Sequence, residues 1–253
     1  MNKAFELDQI NVEKKYNTIL YYVKNDKLLE KYETEIEELV KTLLNEYNEN
    51  YNIKTVAYDF YNKTNQIEKS YDIIKYLVKK KKDNYQLWQQ AIYTASVLSK
   101  FDEVVALVEE AKKIFPNKSD LALFKGIAFF QKGEYHNAYQ ELTSSYKPDL
   151  NKQVRIQYLT FIAESAFKLE RPDSVFLVFE EILELDSNNI AVKNNYSYYM
   201  AIQGVNLDYA YSLSKQTVEA EPANPTYLDT YGWILYKKGQ FVKAEKYIHR
   251  ALQ

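Results

Sequence analysis

The chain is 253 residues long with only five glycines and five prolines, about a third of the roughly 12% that the pair averages, which argues against an all-β sandwich or a nucleotide-binding α/β fold and leaves long helices with short joints. Lys+Arg 33 against Asp+Glu 35 gives a net charge of −2, and only Arg155, Arg171 and Arg250 carry guanidinium groups, so neither nucleic acid nor an anionic membrane is an expected partner. Cysteine is absent, which excludes disulfides, thiolate nucleophiles and zinc-thiolate sites.

The first fifty residues have helical spacing in two runs: Phe5, Ile10, Tyr16, Ile19, Leu20 and Val23, then Leu28, Tyr32, Ile36, Leu39, Leu43 and Tyr47. Asn25 and Asp26 between them signal a turn. The spacing predicts a helical hairpin over 1–50, a degenerate unit or cap stacked on the helices beyond residue 50. The opening MNKAFELDQ lacks the apolar core of a signal peptide. The expected compartment is therefore the cytoplasm, or the bacterial cell envelope if an export signal has been removed. The uncharged stretches 85–99 and 194–207 fall short of the about 18 to 20 apolar residues of a membrane span.

From residue 51 onward the chain repeats itself. The segment 225–252 carries Leu228, Gly232, Gly239, Ala244, Ile248 and Ala251 at its positions 4, 8, 15, 20, 24 and 27. In the same register, 85–118 has Trp88 at 4, Ala95 at 11, Ala111 at 27 and Pro116 at 32, and the segment from 119 has Gly126 at 8, Gly133 at 15 and Ala138 at 20. The segment from 191 has Ala210 at 20 and Pro222 at 32, and those starting at 156 and 51 match more weakly, so the six starts are 51, 85, 119, 156, 191 and 225, separated by 34, 34, 37, 35 and 34 residues. The three extra residues fall near KPDLNKQ, expected between repeats, and the single one near QGVNLD, expected between two helices of one repeat. All five glycines occupy position 8, position 15 or the equivalent turn, and all five prolines fall in predicted turns or first helical positions.

These landmarks resemble the tetratricopeptide repeat (TPR), a helix-turn-helix unit of 34 residues. The stretches 194–203 and 227–241 are similar to the C-terminal repeats of large bacterial TPR proteins, often exported or lipid-anchored in the cell envelope. The resemblance implies an all-α, right-handed superhelical solenoid of antiparallel helix pairs over 51–253, with small residues at 8 and 20 allowing close helix approach. It also implies a non-enzymatic scaffold that binds a peptide or partner helix in a concave groove lined by the first helix of each repeat. The positions at which carboxylate-clamping TPR domains carry Lys and Asn hold Thr55 and Asp59, Gln89 and Tyr93, and Thr160 and Glu164 here, so no such clamp is expected.

In that family, positions 2, 5, 9, 12 and 13 of the first helix face the groove. They supply the candidate binding residues Gln89, Tyr93, Phe130, Thr160, Glu164, Asn195, Tyr199, Asp229, Trp233 and Tyr236, with Phe167 beside them. Aromatic anchors among scattered polar groups suit a peptide or an amphipathic helix. The chain stops at Gln253 inside the last expected helix, so either the natural chain continues or Tyr247, Ile248 and their neighbours meet another molecule. Assembly through this end, as a homo-oligomer or against a neighbouring domain, is the alternative function, and a carbohydrate- or metabolite-binding solenoid the third. His136 and His249 have no metal-ligand pattern around them, the glutamate clusters read as solvated helix faces, and Lys79 to Lys82 reads as a basic helix end. No catalytic residue, metal or cofactor is expected.

Overall fold

The computed structural model describes residues 11–253, apart from the side chains of Pro172 and Asp173. Fifteen helices and no strand occur among the described residues: α1 (Val12–Val23), α2 (Asp26–Lys31), α3 (Glu33–Glu46), α4 (Tyr51–Lys63), α5 (Ile67–Lys80), α6 (Tyr85–Val97), α7 (Phe101–Ile114), α8 (Ser119–Gln131), α9 (Tyr135–Ser145), α10 (Lys152–Lys168), α11 (Pro172–Leu185), α12 (Ile190–Gln203), α13 (Leu207–Ala220), α14 (Pro225–Lys237) and α15 (Phe241–Ala251). They form two compact units, one ending at Phe124 and the other running Lys125–Gln253, with the division inside α8.

Local chemistry sets where these helices begin. Asn50, Asn84, Asn151, Asn189 and Asn224 precede α4, α6, α10, α12 and α14, and each side-chain oxygen accepts a hydrogen bond from a first-turn amide at 3.0 or 3.1 Å. Those amides have no partner within the helix, so an asparagine in front satisfies one of them and marks the start. The helix that comes after each of these has no side-chain cap. It is entered instead from a tight turn that closes the helix before it.

That turn recurs six times with one geometry. Asn65, Ser99, Gly133, Glu170, Gly204 and Gly239 all have φ between 55° and 78°. In every case the next residue's amide reaches back to a carbonyl five residues earlier: Gln66 to Tyr61, Lys100 to Ala95, Glu134 to Phe129, Arg171 to Ala166, Val205 to Met200 and Gln240 to Leu235, at 2.8 to 3.0 Å. This is the Schellman closure, which needs a left-handed residue after the helix end. Glycine fills three of the six positions, and Asn, Ser and Glu fill the others.

In the first unit the core is a continuous run of buried faces. Ile19 and Val23 of α1, Ile36, Leu39 and Leu43 of α3, Val56 and Phe60 of α4, Tyr71, Ile74 and Leu77 of α5, Trp88 and Ala91 of α6, and Val104, Val108 and Ala111 of α7 are all sealed from solvent. The spacing within α5 is that of an amphipathic helix stripe. At its end Lys80 pairs with Glu49 at 3.1 Å and Lys81 lies over the Tyr51 ring. The second unit has an equivalent core, with Leu159, Ala163 and Ala166 of α10, Val175, Phe179 and Ile182 of α11, Tyr196 and Met200 of α12, Ala210 and Leu213 of α13, and Ile234 of α14.

Three local departures have physical causes. The hairpin expected over 1–50 has a broken second arm: Tyr32, at φ −124°, ends α2 and begins α3. Phe5 and Ile10 lie outside the described residues. The three extra residues near KPDLNKQ are taken up by one more turn at the start of α10, which is 17 residues long, because Asn151 caps it at the Val154 amide. The single extra residue lies in the α12–α13 turn, where Asn206 adds a second left-handed residue at φ 48°.

Candidate functional site

The candidate residues divide between the two units. Gln89 and Tyr93 lie on α6 in the first unit, and the other eight lie on α8, α10, α12 and α14 in the second.

On α6 the amide of Gln89 is already engaged. It donates to Asp120 Oδ2 at 2.8 Å, while Tyr85 donates to the other oxygen of the same carboxylate at 2.5 Å. Tyr93, one turn further along, is 64% exposed. Gln89 thus joins α6 to α8, the first helix of the next repeat, and Tyr93 presents its ring to solvent.

In the second unit Phe130 of α8 packs edge-on against Phe161 at 5.6 Å and tilts against Tyr135 at 5.4 Å, so much of its surface is used internally. Thr160 returns its hydroxyl to the Ile156 carbonyl of its own helix at 2.8 Å. Glu164, four residues on, is largely buried; desolvation pushes its carboxyl above the usual range, and Lys168 opposes this only from a distance. Tyr199 stacks on Phe167 at 4.1 Å and tilts against Phe179 at 5.5 Å. Burial, followed by the nearby Glu164 charge, raises its phenol well above the ordinary value.

Tyr199 is the residue whose setting departs most from its expected place on the first-helix face. α12 begins at Ile190, one residue before the expected start, because Asn189 caps it through the Val192 amide at 3.1 Å. The shift puts Ser197 at the small position, where it is fully buried, and leaves Tyr198 as the exposed neighbour at 37%. Reading along the chain from 191 missed Tyr198. The signal that would have found it is the Asn188-Asn189 doublet, since an asparagine directly before an apolar residue is a helix start. Asn195 is half-buried on the same helix.

α14 carries the remaining three. Asp229 is exposed. Trp233 stacks on Tyr236 at 5.5 Å with Lys237 over its ring at 5.0 Å, and its indole Nε1 is buried without an acceptor. Tyr236 is 49% exposed and meets the Phe241 ring at 5.4 Å. Together with Tyr198 and Ile202 of the neighbouring α12, which are 37% and 38% exposed, these side chains leave a partly uncovered aromatic strip on two first helices that pack against each other. Elsewhere, a shallow concavity of about 760 Å³ lies against Phe129, Asn137, Gln140 and Ser144.

Both histidines are exposed. Among the described residues no group of three or more His, Asp or Glu side chains is arranged to hold a metal, and no helix is long and apolar enough to cross a membrane.

No family model and no curated protein matches the sequence. Solved structures do match the fold. YrrB, described as a TPR protein with an unusual peptide-binding site, superposes with a TM-score of 0.56 at 16% identity over 71% of this chain and 90% of its own. A MamA protein matches with a TM-score of 0.53 at 15% identity over 66% of this chain and 89% of its own. MamA from Desulfovibrio magneticus RS-1, from residue 41 onward, gives 0.58 at 12% identity over 66% and 92%. The chain has the tetratricopeptide-repeat fold. Its helix pairs are thereby those of TPR units in an all-α solenoid.

Proposed function

We propose that this TPR chain is a non-enzymatic protein-interaction scaffold that takes a peptide or partner helix on the first-helix face of its second unit. The observation that carries the reading is the uncovered strip of Tyr198, Ile202 and Tyr236, backed by the stacked Trp233. Large rings held by packing on rigid helices lose little entropy on binding, which suits them as anchors. The peptide-binding site named for YrrB supports the same class of partner.

The test is to pan a display library of randomised short peptides on the wild-type chain. Enriched peptides are then titrated against a Trp233→Ala/Tyr236→Ala pair whose helical content is unchanged by circular dichroism. Loss of binding in the folded variant supports the reading. Undiminished binding moves the interface off this face and ends it.

A second reading has its own observation. Phe241, Val242 and Leu252 on or beside α15 are 61%, 84% and 81% exposed, apolar surface of the kind that marks association sites. Self-association or docking of a neighbouring domain through α15 would cover them. Light scattering across a concentration series decides the first of these, because a mass fixed at one chain removes self-association.

A further inference from the structure

Two carboxylates on the first-helix face of the second unit are left without partners. Among the described residues Glu164 has no hydrogen bond and no cation within 4 Å, and neither does exposed Asp229. Most other acids that face a neighbouring helix are engaged: Glu181 by Arg155 and Tyr146, Glu180 by Tyr196, Asp208 by Lys238. Lys168, one turn from Glu164, could have closed the pair. Its ammonium instead lies 5.9 Å over the Tyr135 ring.

An acid in this setting carries a cost that a ligand can relieve. Taking a carboxylate partly out of water is unfavourable unless a cation or donors replace the water, and the raised proton affinity of Glu164 is the same cost seen from the proton's side. The charge of Glu164 is felt by the Tyr199 phenol, and the Tyr199 ring stacks on Phe167, one turn along α10 from Glu164. Aromatic faces attract an organic cation and cover the methylene stem that carries it. The arrangement has a parallel in the first unit, where Asp59 holds the corresponding position of α4. It is likewise half-buried and raised by desolvation.

We infer that the corner formed by Glu164, Phe167 and Tyr199 receives a lysine or arginine side chain from an extended peptide, its carboxylate accepting from the cationic head while the outer side of the stacked ring pair lies against the stem. The inference rests on the reading above that this face binds peptides. It adds the charge of the residue that enters. Charge complementarity selects the occupant, since the unpaired groups at positions 5 and 9 are acids while the lysines of the face, Lys168 and Lys237, sit at position 13 and lie over rings.

The sequences of the peptides panned on the wild-type chain are the readout, followed by titration of the strongest against Glu164→Gln and Glu164→Lys variants checked for fold by circular dichroism. Expected are a recurrent lysine or arginine at one peptide position, a loss of about tenfold or more with Glu164→Gln, the worth of one charge-assisted hydrogen bond, and a larger loss with Glu164→Lys. Replacing the recurrent residue by norleucine should weaken wild-type binding and leave Glu164→Gln binding unchanged. Enriched peptides without a basic preference, or a preference indifferent to Glu164, overturn this inference while leaving peptide binding intact. A library that enriches nothing overturns both.

Discussion

Gly232 on α14 lies against Ile248 on α15 so closely that a β-carbon added to it would come 2.7 Å from Ile248 Cγ1, 3.2 Å from the Ile248 amide nitrogen and 3.3 Å from the Ala244 carbonyl. Two of these three contacts are backbone, which a rotamer change cannot relieve. Gly126 differs, because all its close contacts would be with the side chain of Leu142. We therefore expect Gly232→Leu to cost about 1 to 3 kcal/mol by overpacking. Gly232→Ala should also be destabilising, even though alanine is favoured over glycine in a helix by about 1 kcal/mol. Urea midpoints decide this. A cycle with Ile248→Ala should show coupling between the two positions, because that change removes the nearest contact.

Left-handed turns give a prediction of opposite sign. Ser99 and Glu170, at φ 55° and 56°, occupy the place that Gly133 and Gly239 occupy in other repeats. A left-handed L-residue costs about 1 to 2 kcal/mol, against about 0.5 to 1 kcal/mol for the extra unfolded-state freedom of glycine. Ser99→Gly and Glu170→Gly should thus each stabilise by about 0.5 to 1 kcal/mol. Gly133→Ala should destabilise, although nothing lies within 4 Å of its added carbon. A melting temperature that rises for the alanine variant, or falls for both glycine variants, would show that contacts rather than backbone conformation govern the turns.

The all-α solenoid was legible because its packing rule is written in residue size at fixed spacing. Gly232 and Ala244, or Gly126 and Ala138, stand where helices approach, and few other residues would serve. Cap chemistry was equally present in the asparagines at 50, 84, 151, 189 and 224, yet a size pattern does not register it. That omission let the start of α12 slip by one residue and left out Tyr198. Side-chain engagement was not legible at all: whether Gln89 is free or bonded depends on Asp120, thirty-one residues away. The same holds for Glu164, whose lack of a partner depends on where Lys168 settles.

Trp88 is the largest fully buried side chain, 1% exposed, and its indole nitrogen donates to the Lys82 carbonyl at 2.8 Å. Its ring therefore forms the buried floor of a pocket lined by Val78 of α5 and Leu107 of α7, and its nitrogen ties down the loop before α6. Trp88→Ala should cost about 3 to 5 kcal/mol through the cavity it leaves. Trp88→Phe retains much of the ring but strands the carbonyl, and should cost about 1 to 3 kcal/mol. Equilibrium denaturation of the two variants separates the contributions: equal losses would contradict the packing role of the ring, and an undiminished stability of Trp88→Phe would contradict the role of the hydrogen bond.

Glu164 gives a dependence on pH whose sign is set by burial. Desolvation raises its folded pKa, with Lys168 acting weakly the other way, so the folded chain holds this proton to a higher pH than the unfolded chain does. Stability falls with pH wherever the folded state binds more protons. The Glu164 contribution is then unfavourable above its folded pKa, disappears below the unfolded value, and changes between the two, in the mildly acidic range. Glu164→Gln removes the charge and keeps the shape. Its stability relative to wild type should increase as pH rises through that window and be smallest in acid, as read from urea midpoints at a series of pH values. A variant that gains in acid and loses at neutral pH would mean that the carboxylate is stabilised by a partner in the free chain. That result would also remove the reason for a ligand cation to enter beside it.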